Sequence, residues 1–448
     1  MTSLPRVSAE TAKVLQTAID EAKSQSSELN LDIHSHPELN FEEHHAHDAL
    51  VSFLRKLGFS VTPSAYDIPT SFTSEYDTGG RLVAFNAEYD AFPGIGHACS
   101  HNLIATASVA AFLAAAAALE ASELPGRVRL IGTPAEERGC GKGLLINKGA
   151  YEGVDACVMA HPAPLHDGYD SPFNGRVQVP HVAITAFNII FKGKDSHAAA
   201  APWLGVNALD AIVVGYNAVS MLRQQMIATD YVHGVITNGG LRSNIIPDQA
   251  AVNYAVRSAT MEGLKSLETR VINCFKAGAI ASGCEMEVEH LITYAPLQPN
   301  KCLGTVFSKA MEDLDLPMLC DVDTKDVVLG ATDQGNVGCV VPVIHPIYGI
   351  EAGEGQYNHT AGFTTAAATQ DAFERTLKVG NGLARTAWCV LADDAVAGAM
   401  KEEFDSAMLK RRETLSAEAE YALLCAYDKE AFSDLTTPKT MNCSCGLK

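Results

Sequence analysis

Basic residues are scarce: 33 Lys and Arg stand against 53 Asp and Glu, a formal net charge of -20. Nucleic-acid binding rests on clustered cations that neutralise phosphates, so this balance argues against a nucleic-acid partner. Several common catalytic signatures are missing as well. There is no G-x-S-x-G elbow, no G-x-G-x-x-G turn and no G-x-x-x-x-G-K-[ST] loop, and Gly139-Cys140-Gly141-Lys142-Gly143 has the wrong spacing for a phosphate loop. The stretch Met1 to Glu28 carries Glu10, Asp20, Glu21 and Glu28 and has no apolar core. That predicts neither a secretory signal nor a transit peptide, and a cytosolic location. Twelve cysteines lack the paired spacing of a disulfide framework, which suits a reducing compartment. The one long uncharged run, Leu103 to Leu119, has nine alanines in 17 residues and no aromatic or basic anchors, so it reads as a buried helix and gives no membrane partner.

With 448 residues, 47% of them hydrophobic, the chain can form two or more domains with substantial cores. From Ala46 to about Pro162 helices and short apolar strands alternate: a helix over Ala46 to Leu57, a strand at Leu82 to Ala87, a helix at Asn102 to Glu120, then strands at Val128 to Gly132 and Ala156 to Ala160. This predicts an α/β layer with a mixed, largely parallel sheet flanked by helices. From about Val179 to Leu297 the order becomes β-α-β-β-α-β, that of a ferredoxin-like α+β domain, with Pro180 and Ala295-Pro296-Leu297-Gln298-Pro299 as hinges. The α/β pattern then resumes, with Leu303 to Leu314 helical, Val340 to Ile347 extended and Thr364 to Leu391 helical. The expected division is residues 1–179 and 298–400 for the first domain, 180–297 for the inserted one, and 401–448 for a C-terminal helix and tail.

Cys99 and His101 flank Ser100 at a loop-to-helix junction, and two soft ligands so placed suggest a metal site. Pro134-Ala135-Glu136-Glu137 follows a predicted strand, where one carboxylate can bind a metal while its neighbour stays free as a base. His161 ends the predicted strand Ala156 to Ala160 and should project from the same sheet edge, and His359 lies in a polar loop before an alanine-rich helix. Cys99, His101, Glu137, His161 and His359 make five candidate ligands, with Glu136 left over, a count that suits two divalent ions sharing a bridge. A Cys99 nucleophile served by His101 is the competing scheme, and it needs a particular turn to bring such close neighbours into contact. Cys443-Ser444-Cys445 resembles a second metal motif but reads as part of the tail, and His44, His45 and His47 read as packing or surface groups.

These strings resemble the M20 metallopeptidases of the aminoacylase and carboxypeptidase type, and within them the amidohydrolase branch. The resemblance rests on His36-Pro37-Glu38-Leu39 with Glu42-Glu43, Ala87-Glu88-Tyr89-Asp90-Ala91, His97 to Asn102, Pro134 to Glu137, His161-Pro162, Gly193 to Ala199, Asn244 to Asp248 and Arg257-Ser258. Further strings, among them Thr332-Asp333-Gln334-Gly335 and His359-Thr360-Ala361-Gly362, look most like the Xaa-Arg dipeptidase-like and p-aminobenzoyl-glutamate hydrolase-like groups. Ser100 departs from the glycine usual in the branch.

The resemblance implies a zinc-peptidase-like catalytic domain interrupted by a lid and dimerisation domain, hence a homodimer. It implies that Cys99, His101, Glu137, His161 and His359 bind two divalent ions with Cys99 as the bridge, that Asp90 supports them from behind, and that Glu136 is the general base. His197 would stabilise the oxyanion, in its own or a partner's site, and Asn244 and Arg257 would grip a substrate carboxylate. Thiolate and imidazole ligands favour zinc and leave manganese or cobalt open. The expected activity is hydrolysis of a dipeptide or N-acyl amino acid. The alternatives are an aminobenzoyl-amino-acid-like or specialised biosynthetic amide, cut or formed, and a non-catalytic binding protein that keeps the fold, against which the full ligand set argues.

Overall fold

The computed structural model describes residues 6–165 and 173–414. They fall into two compact units, one built from the chain up to residue 183 with 258–262 and 294 onward, the other from 184–257 and 263–293.

In the first unit a six-stranded sheet runs in the order Val61–Pro63, Phe72–Asp77, Gly126–Gly132, Arg81–Ala87, Ala156–Val158 and Val343–Ile344. The last three pairings are parallel and the first two antiparallel, so the sheet is mixed. Phe72–Asp77, too polar to read as a strand, supplies the antiparallel half. The parallel register sets Ala87 opposite Gly132 and Phe85 opposite Val158. These strands therefore stop at one level, and the chain leaving each of them supplies Asp90, Glu136 with Glu137, and His161. Ligands gather at such carboxyl ends in open α/β sheets.

Three expectations need correction here. The strand expected over Ala156 to Ala160 stops at Val158, and His161 begins a separate strand, His161–Pro164, paired with Ile347–Ile350 in a small second sheet. The extended run expected over Val340 to Ile347 is likewise two pieces, Val343–Ile344 and Ile347–Ile350. Pro346 lies between them; it has no N–H to continue a ladder, while its carbonyl accepts from His161 N at 2.8 Å. The predicted helix Thr364 to Leu391 also breaks, into Ala361–Ala366 and Gln370–Ala392. Thr369 starts the second piece by accepting from Ala372 N at 3.2 Å, as an N-cap does.

The uncharged run forms the central helix His101–Glu120, buried on all sides by the sheet and by the helices Ala9–Ser35 and Gln370–Ala392. Alanine makes this close packing feasible. Gly380, in the middle of Gln370–Ala392, lies so close that a Cβ there would come 2.8 Å from Ala107 O and 2.9 Å from Ala110 Cβ.

The second unit holds a four-stranded sheet in the order Tyr231–Asn238, Gln249–Ser258, Ala183–Lys192, Glu285–Tyr294, with helices Ala208–Leu222 and Met261–Ser282. Numbered along the chain this is 2-3-1-4, the strand order of a ferredoxin-like sheet. Tyr231–Asn238 and Glu285–Tyr294 are its two edges. The chain ends its described part in the helix Asp394–Thr414, and Cys443 and Cys445 lie outside the described residues.

Glycine in a helix interior ordinarily costs about 1 kcal/mol against alanine, yet Gly380→Ala should destabilise the protein, by about 1–2 kcal/mol, because overpacking at a close helix contact outweighs propensity. Thermal unfolding checks this, and a raised Tm would show that the two helices have room to part.

Candidate metal centre

Each expected ligand is aimed by its local backbone. Cys99 and His101 straddle Ser100, whose φ of 63° and ψ of 34° are left-handed. Such a conformation suits glycine and is rare for serine, which explains why glycine would be the usual residue there. Ala135, just before Glu136, has φ 59°, and His359 itself has φ 69°. Non-glycine residues at these angles store strain and cluster at functional sites.

The five side chains come together. Cys99 Sγ lies 3.3 Å from His161 Nε2, and Glu137 Oε1 lies 3.6 Å from Nε2 of both His101 and His359. Two overlapping triples, Cys99 with His101 and His161, and Cys99 with Glu137 and His359, each hold their ligand atoms within 4.8 Å of one another. Cys99 belongs to both. Glu136 groups in the same way with His101 and Glu137.

Hydrogen bonds behind the cluster choose the tautomers. His101 Nδ1 donates to Asp90 Oδ1 at 2.9 Å and His161 Nδ1 donates to Pro162 O at 2.7 Å, so the Nε2 of each ring is the atom left for the cluster. Burial opposes charge on His101, but Asp90 holds the ring protonated well above its usual range in the metal-free chain, and a bound cation would take the place of its Nε2 proton. Asp90 Oδ2 accepts from Glu137 N at 2.9 Å. His101 Nε2, Glu137 Oε1 and Glu88 Oε2 are buried without a hydrogen-bond partner among the described residues. Orphaned ligand atoms that converge on one point fit a bound cation, and a thiol, three imidazoles and a carboxylate fit a zinc-type ion.

Charge tells the same story. Burial and the neighbouring Glu137 hold the Cys99 thiol well above its usual range, which disfavours a free thiolate nucleophile. Burial and His101 push His161 down to about 3, leaving a neutral imidazole. Burial alone would raise Asp90, but His101 beside it reverses the direction and holds the carboxylate ionised. Glu136 is raised well above the usual carboxylate range by burial, then by Glu137, Glu88 and Asp333.

Five neighbours have no role in the sequence reading. Lys142 is fully buried, its Nζ 2.5 Å from both Glu88 Oε1 and Asp333 Oδ1. Glu88 and Asp333 in turn group with Glu136. The motifs contained Glu88 and Asp333 without assigning them, and Lys142 appeared only in a failed phosphate loop. Glu43 Oε1 accepts from Ala135 N at 2.9 Å, and the Tyr294 hydroxyl donates to Glu136 O, so two buried side chains fix the turn carrying the acid pair.

The other three expected residues lie in the second unit. His197 pairs across from Ile245, and Ala198 N donates to Asn244 O at 3.0 Å, so His197 and Asn244 share one short ribbon. His197 Nδ1 accepts from Ala199 N and Ala200 N, both at 3.2 Å, which leaves the ring proton on Nε2 as a donor. Arg257 lies on Gln249–Ser258 and its Nε donates to His233 Nε2 at 3.3 Å.

Glu43 generates a pH prediction for the metal-free chain. Burial, then Asp90, raise its carboxyl from 4.5 to about 8. The folded form therefore keeps a proton that the unfolded chain releases above 4.5, and this group costs stability as pH rises from 4.5 towards 8, by about 1.4 kcal/mol per unit. Glu43→Gln mimics the protonated carboxyl and removes that cost. Denaturant unfolding at pH 5 and pH 8 should show the variant gaining on the wild type at the higher pH; a constant difference would mean that Glu43 is ionised in the folded chain.

Comparison with known proteins agrees with this arrangement. Residues 181–282 match the family model of the peptidase dimerisation domain. The Xaa-Arg dipeptidase of Mus musculus is 41% identical over 400 residues, covering 86% of this chain and 90% of that protein. One of the p-aminobenzoyl-glutamate hydrolase subunits of Escherichia coli is 30% identical over 323 residues, covering 68% and 66%. Among solved structures, a putative aminohydrolase from methicillin-resistant Staphylococcus aureus superposes with a TM-score of 0.63 at 20% identity, over 85% of this chain and 98% of its own. A Bacillus subtilis protein described as a dinuclear metal binding peptidase from the M20 family gives 0.61 at 22%, over 82% and 98%. The structures attest the shared fold, and the sequence identity carries the further conclusion that this chain belongs to the M20 family of metal-dependent amide-bond hydrolases.

Proposed function

We propose that Cys99, His101, Glu137, His161 and His359 hold two divalent ions, zinc in the first instance with manganese or cobalt as the alternatives, and that the enzyme cleaves small dipeptide-like amides ending in a basic residue. The observation that carries the reading is the membership of Cys99 in both ligand triples, since a thiolate between two ions is a natural bridge. Bound ions would polarise the amide carbonyl and acidify water at the site.

The chain's own residues supply the rest. Glu136, spared from the ligand set and buried beside it, takes a proton from the attacking water and returns it to the leaving amine. Its raised affinity for protons suits that exchange. Asp90 holds His101 and the Glu137 backbone in register. His197 offers its Nε2 proton to the developing oxyanion, and Asn244 and the Arg257 guanidinium receive the terminal carboxylate.

The substrate preference is supported by the mouse relative, an Xaa-Arg dipeptidase, and the runner-up by the Escherichia coli one, from a p-aminobenzoyl-glutamate hydrolase. The nine cysteines among the described residues are unbridged, which supports a cytosolic setting where a thiolate ligand stays reduced. A homodimer through the second unit is supported by the dimerisation-domain match and by the exposed Val213, Val214, Tyr216 and Met221 on one helix and Tyr231, Val235 and Ile236 on the edge strand Tyr231–Asn238.

Two measurements test this. On a panel of Xaa-Arg and Xaa-Lys dipeptides, N-acyl amino acids and p-aminobenzoyl-glutamate, the basic dipeptides should be cleaved fastest, and Glu136→Gln should lower kcat at least about 100-fold with metal content unchanged. Loss of metal together with activity would make Glu136 a ligand instead of the base. Light scattering should give a dimer mass for the wild type and a monomer mass for Val235→Lys, which puts a charge on the exposed edge; an unaltered dimer would place the interface elsewhere.

A further inference from the structure

We infer that Asp32, His36 and His45 form a separate site for one divalent cation of the zinc type, on the outer face of the first unit, where the helix Ala9–Ser35 ends and His44–Lys56 begins. None of the three belongs to the catalytic cluster. Their ligand atoms lie within 4.8 Å of one another. The carboxylate of Asp32 stands between the imidazoles, Oδ1 3.2 Å from His36 Nδ1 and Oδ2 2.9 Å from His45 Nε2, and the ring centroids are 4.2 Å apart.

The backbone explains why the three converge. Asp32 and His36 are one helical turn apart, which puts them on the same face. His36 closes the helix, its N–H bonded to Ile33 O at 3.2 Å. Across the junction, Glu38 accepts from the N–H groups of His45 and Ala46 at 2.9 and 3.0 Å, so the His45 backbone is held before any ion arrives. Two imidazoles and a carboxylate match the ligand preferences of zinc, and the half-exposed side chains leave positions for water. From sequence alone His45 reads as a surface group, because nothing in the spacing announces that Asp32, thirteen residues earlier, returns beside it.

The ion would close residues 37–43 into a tied loop. That loop delivers Glu43 to Ala135 N, next to Glu136, and the Glu38 carbonyl to Ala91 N at 2.8 Å, next to Asp90. A cation here acts as a staple behind the catalytic centre, adding stability without entering the reaction.

The full-length chain, stripped of metal and dialysed against increasing Zn2+, provides the test, with bound zinc counted by mass spectrometry. The wild type should bind one equivalent more per chain than His36→Gln/His45→Gln, and Asp32→Asn should lose the same equivalent. The double variant should hydrolyse whichever amide the wild type cleaves at a rate within about twofold, and Zn2+ should raise its Tm less than that of the wild type. Equal stoichiometry in wild type and variant overturns the inference. So does loss of hydrolysis together with the extra equivalent, because the ion would then belong to the catalytic cluster.

Discussion

One carboxylate organises the centre. Asp90 leaves the end of Arg81–Ala87 and spends one oxygen on the His101 ring and the other on the Glu137 backbone, tying together the ends of two parallel strands and the start of the central helix. A buried carboxylate costs several kcal/mol unless such charge-assisted bonds satisfy it. With both oxygens engaged it stays ionised, and one layer out burial first, and the Asp90 charge second, favour the protonated form of Glu43. Adjacent buried carboxylates cannot both carry charge cheaply, so the stack behind the site is one anion backed by one neutral acid.

Lys142 solves the same problem on the other side. Glu136, Glu88 and Asp333 would be three acids in a dry pocket, and a fully buried ammonium between two of them offsets the charge. Asp333 still rises to about 6, through burial and the presence of Glu88. Buried ion groups of this kind seldom add net stability over well-packed apolar residues. Their value lies in orientation: Lys142 holds Glu88 Oε1 and both Asp333 oxygens, one of them through its backbone N–H, while Glu136 keeps its place beside the candidate ligands.

The fold was readable wherever periodicity and strand ends carried the signal. The helix His101–Glu120 and the strand Arg81–Ala87 lie within a residue of their expected limits, and the second unit follows the expected β-α-β-β-α-β order. Ligands at strand ends followed from general α/β logic, and the motif resemblance tied His359, far along the chain, to Cys99. What escaped was set by tertiary contact. Phe72–Asp77 alternates weakly and gains strand geometry only beside Gly126–Gly132. Pro346 cuts one apparent strand into two sheets, and no local pattern foretold that the second piece would pair with the strand begun by His161. Lys142 was missed because a lysine amid glycines reads as a solvated loop until Glu88 and Asp333, 54 and 191 residues away, are seen to enclose it.

The central helix carries a burden for the growing chain. Its apolar, alanine-rich stretch is buried only once Gln370–Ala392 lies against it, and that partner leaves the ribosome some 250 residues later, about 12–50 s at ordinary rates of synthesis. Through that interval a segment apolar enough to cross a membrane has the N-terminal helix Ala9–Ser35 as its early cover. The length of that helix, 27 residues, is then as much a matter of biogenesis as of final stability. Trimming it would bear first on the yield of folded protein, before any effect on the chemistry of the finished enzyme.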